Sequence, residues 1–343
     1  MNNIVFMNNE PAVVQASFST RSMRPRMSVV VPAYNEASNL PAMLTGLTHA
    51  LRQLTDEWEV LVVDDGSRDA TPLAMLPWVS ASGVRYLRLS RNFGKECALT
   101  AGIEHAQGDV VVCMDADLQH PVDMLGPMLH AWRDGVDMVC AARSSRADET
   151  AAKRLGTWLF YRLINTNSSV HIPVDAGDFR LMDRRVVDAL KSLPERNRFM
   201  KGLFAWVGFR TQILPYTPHE RASGQSSFSL KRLARLAFTG VTTFTNFPLR
   251  LWSALGSLIA LGALLFGCWI IIEHYIDSEA VPGWATLATS MMFFSGVQLL
   301  SIGILGEYVG RIFDEVKHRP IYIVASEQGR STFTDAADEG QAG

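Results

Sequence analysis

Short apolar runs alternate along the chain with longer stretches in which apolar residues return every three or four positions. The runs fall at residues 27–32, 59–64, 84–89, 109–114 and 137–142. Their length and near-continuous apolar character predict buried strands. Residues 36–54, 69–79, 96–106 and 122–132 carry the helical spacing between them. Strands alternating with helices predict βαβ units, hence an α/β domain with a parallel or mixed sheet. The pattern changes near residue 250. Residues 251–272 and 284–306 contain no charged side chain. Each exceeds the ~20 residues that cross a bilayer as a helix.

The polar residues gather where the predicted strands end. Asn35 and Glu36, Asp64 and Asp65, Arg91 and Asn92, and Asp115 and Asp117 each follow an apolar run. Open α/β sheets bind ligands at that edge, so these positions predict a cleft. Asp115-Ala-Asp117 stands out. In an extended segment its two carboxylates share a face and can reach one divalent cation that also takes phosphate oxygens. Alone, the same pattern also fits a solvated turn. Pro121 then favours a turn and a new helix start. No GxGxxG follows the first strand and no Walker A motif is present, which disfavours dinucleotide and P-loop sites.

Charge adds topology. The net charge of −2 gives no reason to expect nucleic acid as a partner. Lys231, Arg232, Arg235 and Arg250 precede the first uncharged segment, and Arg311, Lys317 and Arg319 follow the second. The connector carries Glu273, Asp277 and Glu279 and no Lys or Arg. Positive flanks predict both termini on the cytoplasmic side of a two-helix hairpin. Residues 229–247 read as a basic amphipathic helix at an anionic membrane surface. The four cysteines form no CxxC pair and read as reduced. Residues 1–26 are polar and irregular, without a signal-peptide core, and read as a disordered arm.

Several motifs, in order and spacing, resemble family 2 glycosyltransferases with a GT-A fold. They are Val30-Val-Pro-Ala-Tyr-Asn-Glu36, Val63-Asp-Asp-Gly-Ser-Arg-Asp69 and Asp115-Ala-Asp117. Arg91-Asn-Phe-Gly-Lys-Glu96, Asp115-Ala-Asp-Leu-Gln-His-Pro121, Gly177-Asp-Phe-Arg-Leu-Met-Asp183 and Gly306-Glu-Tyr-Val-Gly-Arg-Ile312 narrow the resemblance. With two carboxy-terminal spans, they are similar to polyprenyl-phosphate glycosyltransferases of the bactoprenol glucosyltransferase type, relatives of the dolichyl-phosphate mannose synthases.

The resemblance implies roles. Asp64 would contact the nucleotide base, beside the turn of Pro32, Tyr34, Asn35 and Glu36. Asp65, Arg91, Asn92, Gly94, Lys95 and Ala116 would complete the nucleotide-sugar site. Asp115 and Asp117, with Gln119 as a further oxygen ligand, would hold Mg²⁺ or Mn²⁺ on the diphosphate. Asp175, Asp178 and Arg180 would act at the reacting sugar and phosphate. Arg198, Lys201, Arg221, Ser226 and Lys231 would meet the acceptor phosphate. The family's loop carries Lys after the first Ser of Gln225-Ser-Ser, where this chain has Ser227.

The implied activity is inverting, metal-dependent transfer of a hexose to polyprenyl (undecaprenyl) phosphate at the cytoplasmic face. Glucose from UDP-glucose is the expected donor, and a β-linked lipid-phosphate sugar for cell-envelope or O-antigen (lipopolysaccharide) modification the expected product. GDP-mannose, UDP-N-acetylglucosamine and UDP-aminoarabinose are alternative donors. A non-catalytic nucleotide-binding transport component is the alternative of another class. A processive synthase is disfavoured by the absence of Gln-x-x-Arg-Trp. The expected organisation is an arm (1–26), a GT-A domain (27–228), an interfacial helix (229–248), a transmembrane hairpin (249–308) and a juxtamembrane helix with a polar tail (309–343). Membrane lipid is an expected partner, and the resemblance also implies a homo-oligomer, a tetramer.

Overall fold

A computed structural model describes residues 21–143, 176–196, 198–217 and 283–333, with helical pieces at 256–259, 261–262, 265–266 and 269. The interfacial helix, most of the first span, residues 1–20 and the tail after 333 lie outside the described residues.

The first half follows the expected alternation. It runs β1 (Met27–Ala33), α1 (Leu40–Leu54), β2 (Trp58–Asp64), α2 (Thr71–Val79), β3 (Val84–Leu89), α3 (Lys95–His105) and β4 (Val110–Cys113). A single 3-10 turn, Val122–Met124, leads into α4 (Leu125–Arg133) and β5 (Met138–Arg143). Then come β6 (Ala176–Asp183), α5 (Arg184–Ser192), α6 (Met200–Trp206), β7 (Thr211–Tyr216), α7 (Trp284–Val316) and β8 (Val324–Gly329).

Among the described residues, eight strands form one sheet in the order β7-β5-β6-β4-β1-β2-β3-β8. Neighbours among β1 to β4 pair in parallel. β6 runs antiparallel to both β4 and β5, which makes the sheet mixed. This is the GT-A-like α/β arrangement expected. Both faces are covered, so every residue of β1 and β2 is buried. Alternation sends Val29, Val31, Val60 and Val62 into one core with α1 and α4. Val30, Leu61, Val63 and Val111 enter a second core with α3, α5 and α6. α1 buries Leu40, Met43, Leu44, Leu47 and Leu51, a stripe at helical spacing. Gly102 lets α3 settle onto β1, since a Cβ there would lie 2.1 Å from Val30 Cγ1.

Three expectations need correction. Residues 21–26, assigned to the disordered arm, pack against the domain. Arg21 donates to the Trp132 and Val136 carbonyls and pairs with Asp137 at 2.9 Å, and Arg26 pairs with Asp109 at 3.0 Å. Second, α7 does not stop at Gly306 but continues unbroken to Val316. Its segment Ser290–Val316 is the one stretch among the described residues long and apolar enough to cross a membrane, and none of its best window is buried in the domain. Third, the carboxy-terminal region is not merely a polar tail. β8 returns to the sheet and pairs antiparallel with β3, Val324 opposite Leu89 and Gly329 opposite Arg85. Thr332 closes this edge, accepting from the Trp58 N–H and donating to the Trp58 carbonyl.

A buried polar network ties β8 to the sheet. Glu59 is fully buried and accepts from Ser28 Oγ, the Gln107 N–H and Arg85 Nη1, the last at 2.6 Å. Arg85 also pairs with Glu327 of β8, which is partly exposed. Removing one partner of a buried pair leaves an uncompensated charge, which costs about 3–5 kcal/mol, whereas a surface pair contributes about 1 or less. Arg85→Met should therefore lower unfolding stability by about 3–5 kcal/mol and Glu327→Gln by less than about 1. Denaturant titrations of the two variants in detergent check this; equal effects would show that Glu59 does not depend on Arg85.

Candidate active site

The parallel strands deliver their carboxyl-terminal turns to one edge, and hydrogen bonds stitch those turns together. After β1 the chain turns at Asn35, whose φ of 58° is in a region Asn tolerates. The Asn35 N–H donates to Ser67 Oγ at 2.9 Å, Asn35 Oδ1 accepts from the Arg68 N–H, and the Glu36 N–H donates to Thr71 Oγ1. The turn after β1 is thereby locked to the loop after β2.

Asp64 and Asp65 divide the work at the end of β2. Asp64 is fully buried, accepts from the Ser67 N–H at 2.7 Å and from the Tyr86 hydroxyl, and holds the loop from beneath. Asp65 accepts from the Phe93 and Gly94 N–H groups at 2.7 and 2.9 Å and pins the next turn. Gly66 makes this contact possible. Its φ is +68°, and a Cβ would lie 2.4 Å from the Arg91 carbonyl carbon.

β4 ends at Cys113, and β6 lies antiparallel beside it with Arg180 opposite Cys113. Two residues further along each strand, that register brings Asp115 across from Asp178. Lys95, the first residue of α3, bridges them. Its Nζ lies 2.8 and 2.9 Å from the two Asp115 oxygens and 2.7 Å from Asp178 Oδ2. Asp117 Oδ1 accepts the Gln119 N–H at 3.2 Å across Leu118, which sits at φ 61°. Behind this loop the Asp115 N–H donates to His120 Nδ1, and the His120 ring stacks on Phe179 at 4.8 Å.

These turns enclose a cavity of about 620 Å³ lined by Pro32, Ala33, Tyr34, Glu36, Asp65, Asn92, Gly94, Lys95, Ala98, Asp115, Ala116 and Asp117. Most of the expected nucleotide-sugar residues meet here. Asn35 and Arg91 do not line it; Arg91 stacks over Phe93 at 4.0 Å. Asp64, expected at the base, is also absent from the wall, and Asp65 faces the cavity in its place. Asp64 ends β2 beneath the loop, where the Ser67 N–H and the Tyr86 hydroxyl hold it.

Burial, reinforced by Asp117 and Asp115, pushes the Glu36 carboxyl above its usual range despite the opposing Asn39 hydrogen bond. Burial likewise raises Asp65. Burial opposes the charge on Lys95, yet Asp115 and Asp178 hold its ammonium more firmly protonated than usual. Burial alone would raise Asp178, but Lys95 and Lys201 outweigh it and keep that carboxyl below its usual value. Glu96, beside Lys95 in sequence, accepts the Met200 N–H, and burial followed by the Asp178 charge pushes it up to about 7.

The donor set fits a divalent cation shared with phosphate. Asp115 and Asp117 offer hard oxygen ligands, and Asp117 has no cationic partner among the described residues. On the same wall the charges of Asp117 and Asp115 add to the burial that raises Glu36. Among the described residues no three His, Cys, Asp or Glu side chains form a metal site by themselves. A cation would therefore draw its remaining ligands from phosphate and water, as Mg²⁺ commonly does. Gln119 is buried behind the loop and does not line the cavity.

Two expected arginines serve elsewhere. Arg180 is buried, donates to the Gly177 carbonyl at 2.6 Å, lies over the Phe204 ring at 3.7 Å and does not line the cavity. Arg198 donates to the Leu193 and Glu195 carbonyls, closes the end of α5 and does not line the cavity. Lys201 is close enough for its charge to act on Asp178 and Glu96. Asp175, Arg221, Ser226 and Lys231 lie outside the described residues. Ala33, Ala98, Glu96 and His120 were not anticipated as parts of the site. For His120 the signal was present in the quoted Asp-Leu-Gln-His-Pro run.

The glycosyl transferase family 2 profile matches residues 28–191. A bactoprenol glucosyl transferase of Shigella phage SfV is 42% identical over 304 residues, covering 88% of this chain and 99% of that one. An uncharacterized glycosyltransferase of Synechocystis is 42% identical over 308 residues, covering 90% and 97%. Among solved structures, a mannosyltransferase of Pyrobaculum calidifontis in complex with GDP-Man and Mn²⁺ is 19% identical with a TM-score of 0.43, covering 85% and 88%.

The raised Glu96 has a consequence for stability. Its carboxyl moves from an ordinary 4.5 to about 7 on folding, so the folded state holds a proton that the unfolded chain releases earlier. Stability should fall as pH rises through that window, by at most about 3 kcal/mol. Glu96→Gln keeps an oxygen for the Met200 N–H and removes the titration. Its advantage over the parent protein should grow between about pH 4 and about pH 8 in melting curves. An advantage independent of pH would refute a buried, proton-holding Glu96.

Proposed function

The chain belongs to glycosyl transferase family 2, and we propose that it transfers glucose from UDP-glucose to polyprenyl phosphate at the cytoplasmic membrane face. The observation that carries this reading is the strand-end cavity with Asp115 and Asp117 on its wall, in a chain aligned over most of its length with a bactoprenol glucosyl transferase.

Tyr34, Asp65 and Asn92 surround the base and ribose, with Asp65 accepting the N3–H of uracil. Asp115 and Asp117 would hold Mg²⁺ or Mn²⁺, which would supply neutralisation of the charge that develops on the diphosphate as it departs. The acceptor needs no general base. A phosphate monoester has a second pKa near 6, so most of it is a dianion at neutral pH. Its oxygen attacks the anomeric carbon opposite the diphosphate, and the configuration inverts. Asp178, kept ionised by Lys95 and Lys201, is a poor proton acceptor. It orients sugar hydroxyls instead.

The arrangement of α7 supports a lipid acceptor. The Glu315 carboxylate near the helix end accepts the Arg196 N–H, and the Ile323 carbonyl accepts the Ser90 N–H at the end of β3. The apolar helix therefore delivers the chain to the strand-end side that carries the cavity. A second span over residues 251–272, both termini on the cytoplasmic side and the basic interfacial helix complete the reading.

The test is transfer of radiolabelled sugar by the purified protein to undecaprenyl phosphate with Mg²⁺ or Mn²⁺. The donors are UDP-glucose, GDP-mannose, UDP-N-acetylglucosamine and UDP-aminoarabinose. Transfer from UDP-glucose is expected. Asp117→Asn should lower turnover by about 100-fold or more while leaving the melting temperature nearly unchanged. No transfer from any donor would overturn the enzymatic reading, and a different preferred donor would overturn the glucose assignment.

A further inference from the structure

We propose that Lys95 is an internal counter-ion standing in the place of the divalent cation, so that metal binding is conditional on the nucleotide. The proposal rests on the reading of Asp115 and Asp117 as cation ligands.

The Lys95 ammonium lies within 2.9 Å of both Asp115 oxygens. Those are the atoms a metal needs. The same ammonium is held by Asp178 at 2.7 Å. One positive charge thus neutralises two carboxylates that arrive on different strands. A divalent cation on Asp115 would face this charge at close range, and the repulsion weakens binding to the nucleotide-free protein. The donor diphosphate changes the balance. It brings two negative charges and further oxygen ligands, so the cation and the ammonium can coexist once it is present.

The geometry lets Lys95 yield without leaving the site. Its Cα is fixed at the start of α3, where Asp65 grips the preceding Phe93 and Gly94 N–H groups. Its side chain is half-exposed, and the flexible lysine stem can swing a compact charge between partners. Asp178 remains as an anchor when Asp115 is given up. Among the described residues Asp178 Oδ1 has no hydrogen-bond partner, while Oδ2 holds the ammonium. Metal and nucleotide then bind with positive coupling, each raising the affinity for the other by the same factor.

The experiment is Mn²⁺ binding by electron paramagnetic resonance, with and without UDP. It compares the full-length protein with Lys95→Met, Lys95→Gln and Lys95→Arg. In the parent protein Mn²⁺ should bind weakly alone and much more tightly with UDP. Lys95→Met should raise nucleotide-free Mn²⁺ affinity about tenfold or more and shrink the gain from UDP. Lys95→Gln should do the same, and it guards against loss of fold in the apolar variant. Lys95→Arg keeps the charge and should keep the parent pattern. A neutral variant that is folded but binds nucleotide-free Mn²⁺ no better than the parent overturns the proposal alone. Absence of Mn²⁺ binding in every protein, even with UDP, overturns the cation reading and the proposal with it.

Discussion

Glu36, Asp64, Asp65, Asp115, Asp117 and Asp178 converge on one end of the sheet because β-strands and their following turns deliver them there. Such crowding of negative charge is unfavourable unless each group finds a donor or a cation. The protein resolves it in two ways. Asp64 and Asp65 accept backbone N–H groups and a tyrosine hydroxyl, and so become the staples that hold neighbouring turns. Asp178 and Asp115 share Lys95. Asp117 and Glu36 line the cavity. The division between charge used to build the site and charge left for a ligand is what gives the cavity its chemistry.

The strands were legible because burial on both faces demands nearly continuous apolar runs, and β1, β2 and β4 carry them. The cleft was legible because its polar residues follow those runs directly. Other features depend on information a linear reading does not hold. Choosing between Asp64 and Asp65 requires knowing which one Ser67 and Tyr86 hold beneath the loop, and the two residues are chemically identical. Arg180 and Arg198 look like phosphate ligands in sequence, but in the fold carbonyl groups and an aromatic ring occupy their guanidinium groups. β8 was missed because an edge strand paired on one side needs few apolar residues, and Val-Ala-Ser-Glu-Gln-Gly reads as a polar tail.

The two ends of the sheet do different things. The cavity end carries loosely balanced charge and positive-φ turns at Asn35, Gly66 and Leu118. The opposite end is closed by the buried Glu59–Arg85 pair, the Arg21 insertion and the Arg26–Asp109 pair. A rigid base allows the cavity end to hold the Leu118 turn at positive φ without loss of the fold.

β8 also orders events in time. A ribosome completes residues 324–329 only after it has made α7, yet β8 closes the exposed edge of β3, which was made long before. Until then the amino-terminal domain carries an open sheet edge and Arg85 lacks its outer partner. Synthesis of the apolar helix therefore precedes completion of the sheet, and a chain that stops before β8 leaves the β3 edge unpaired.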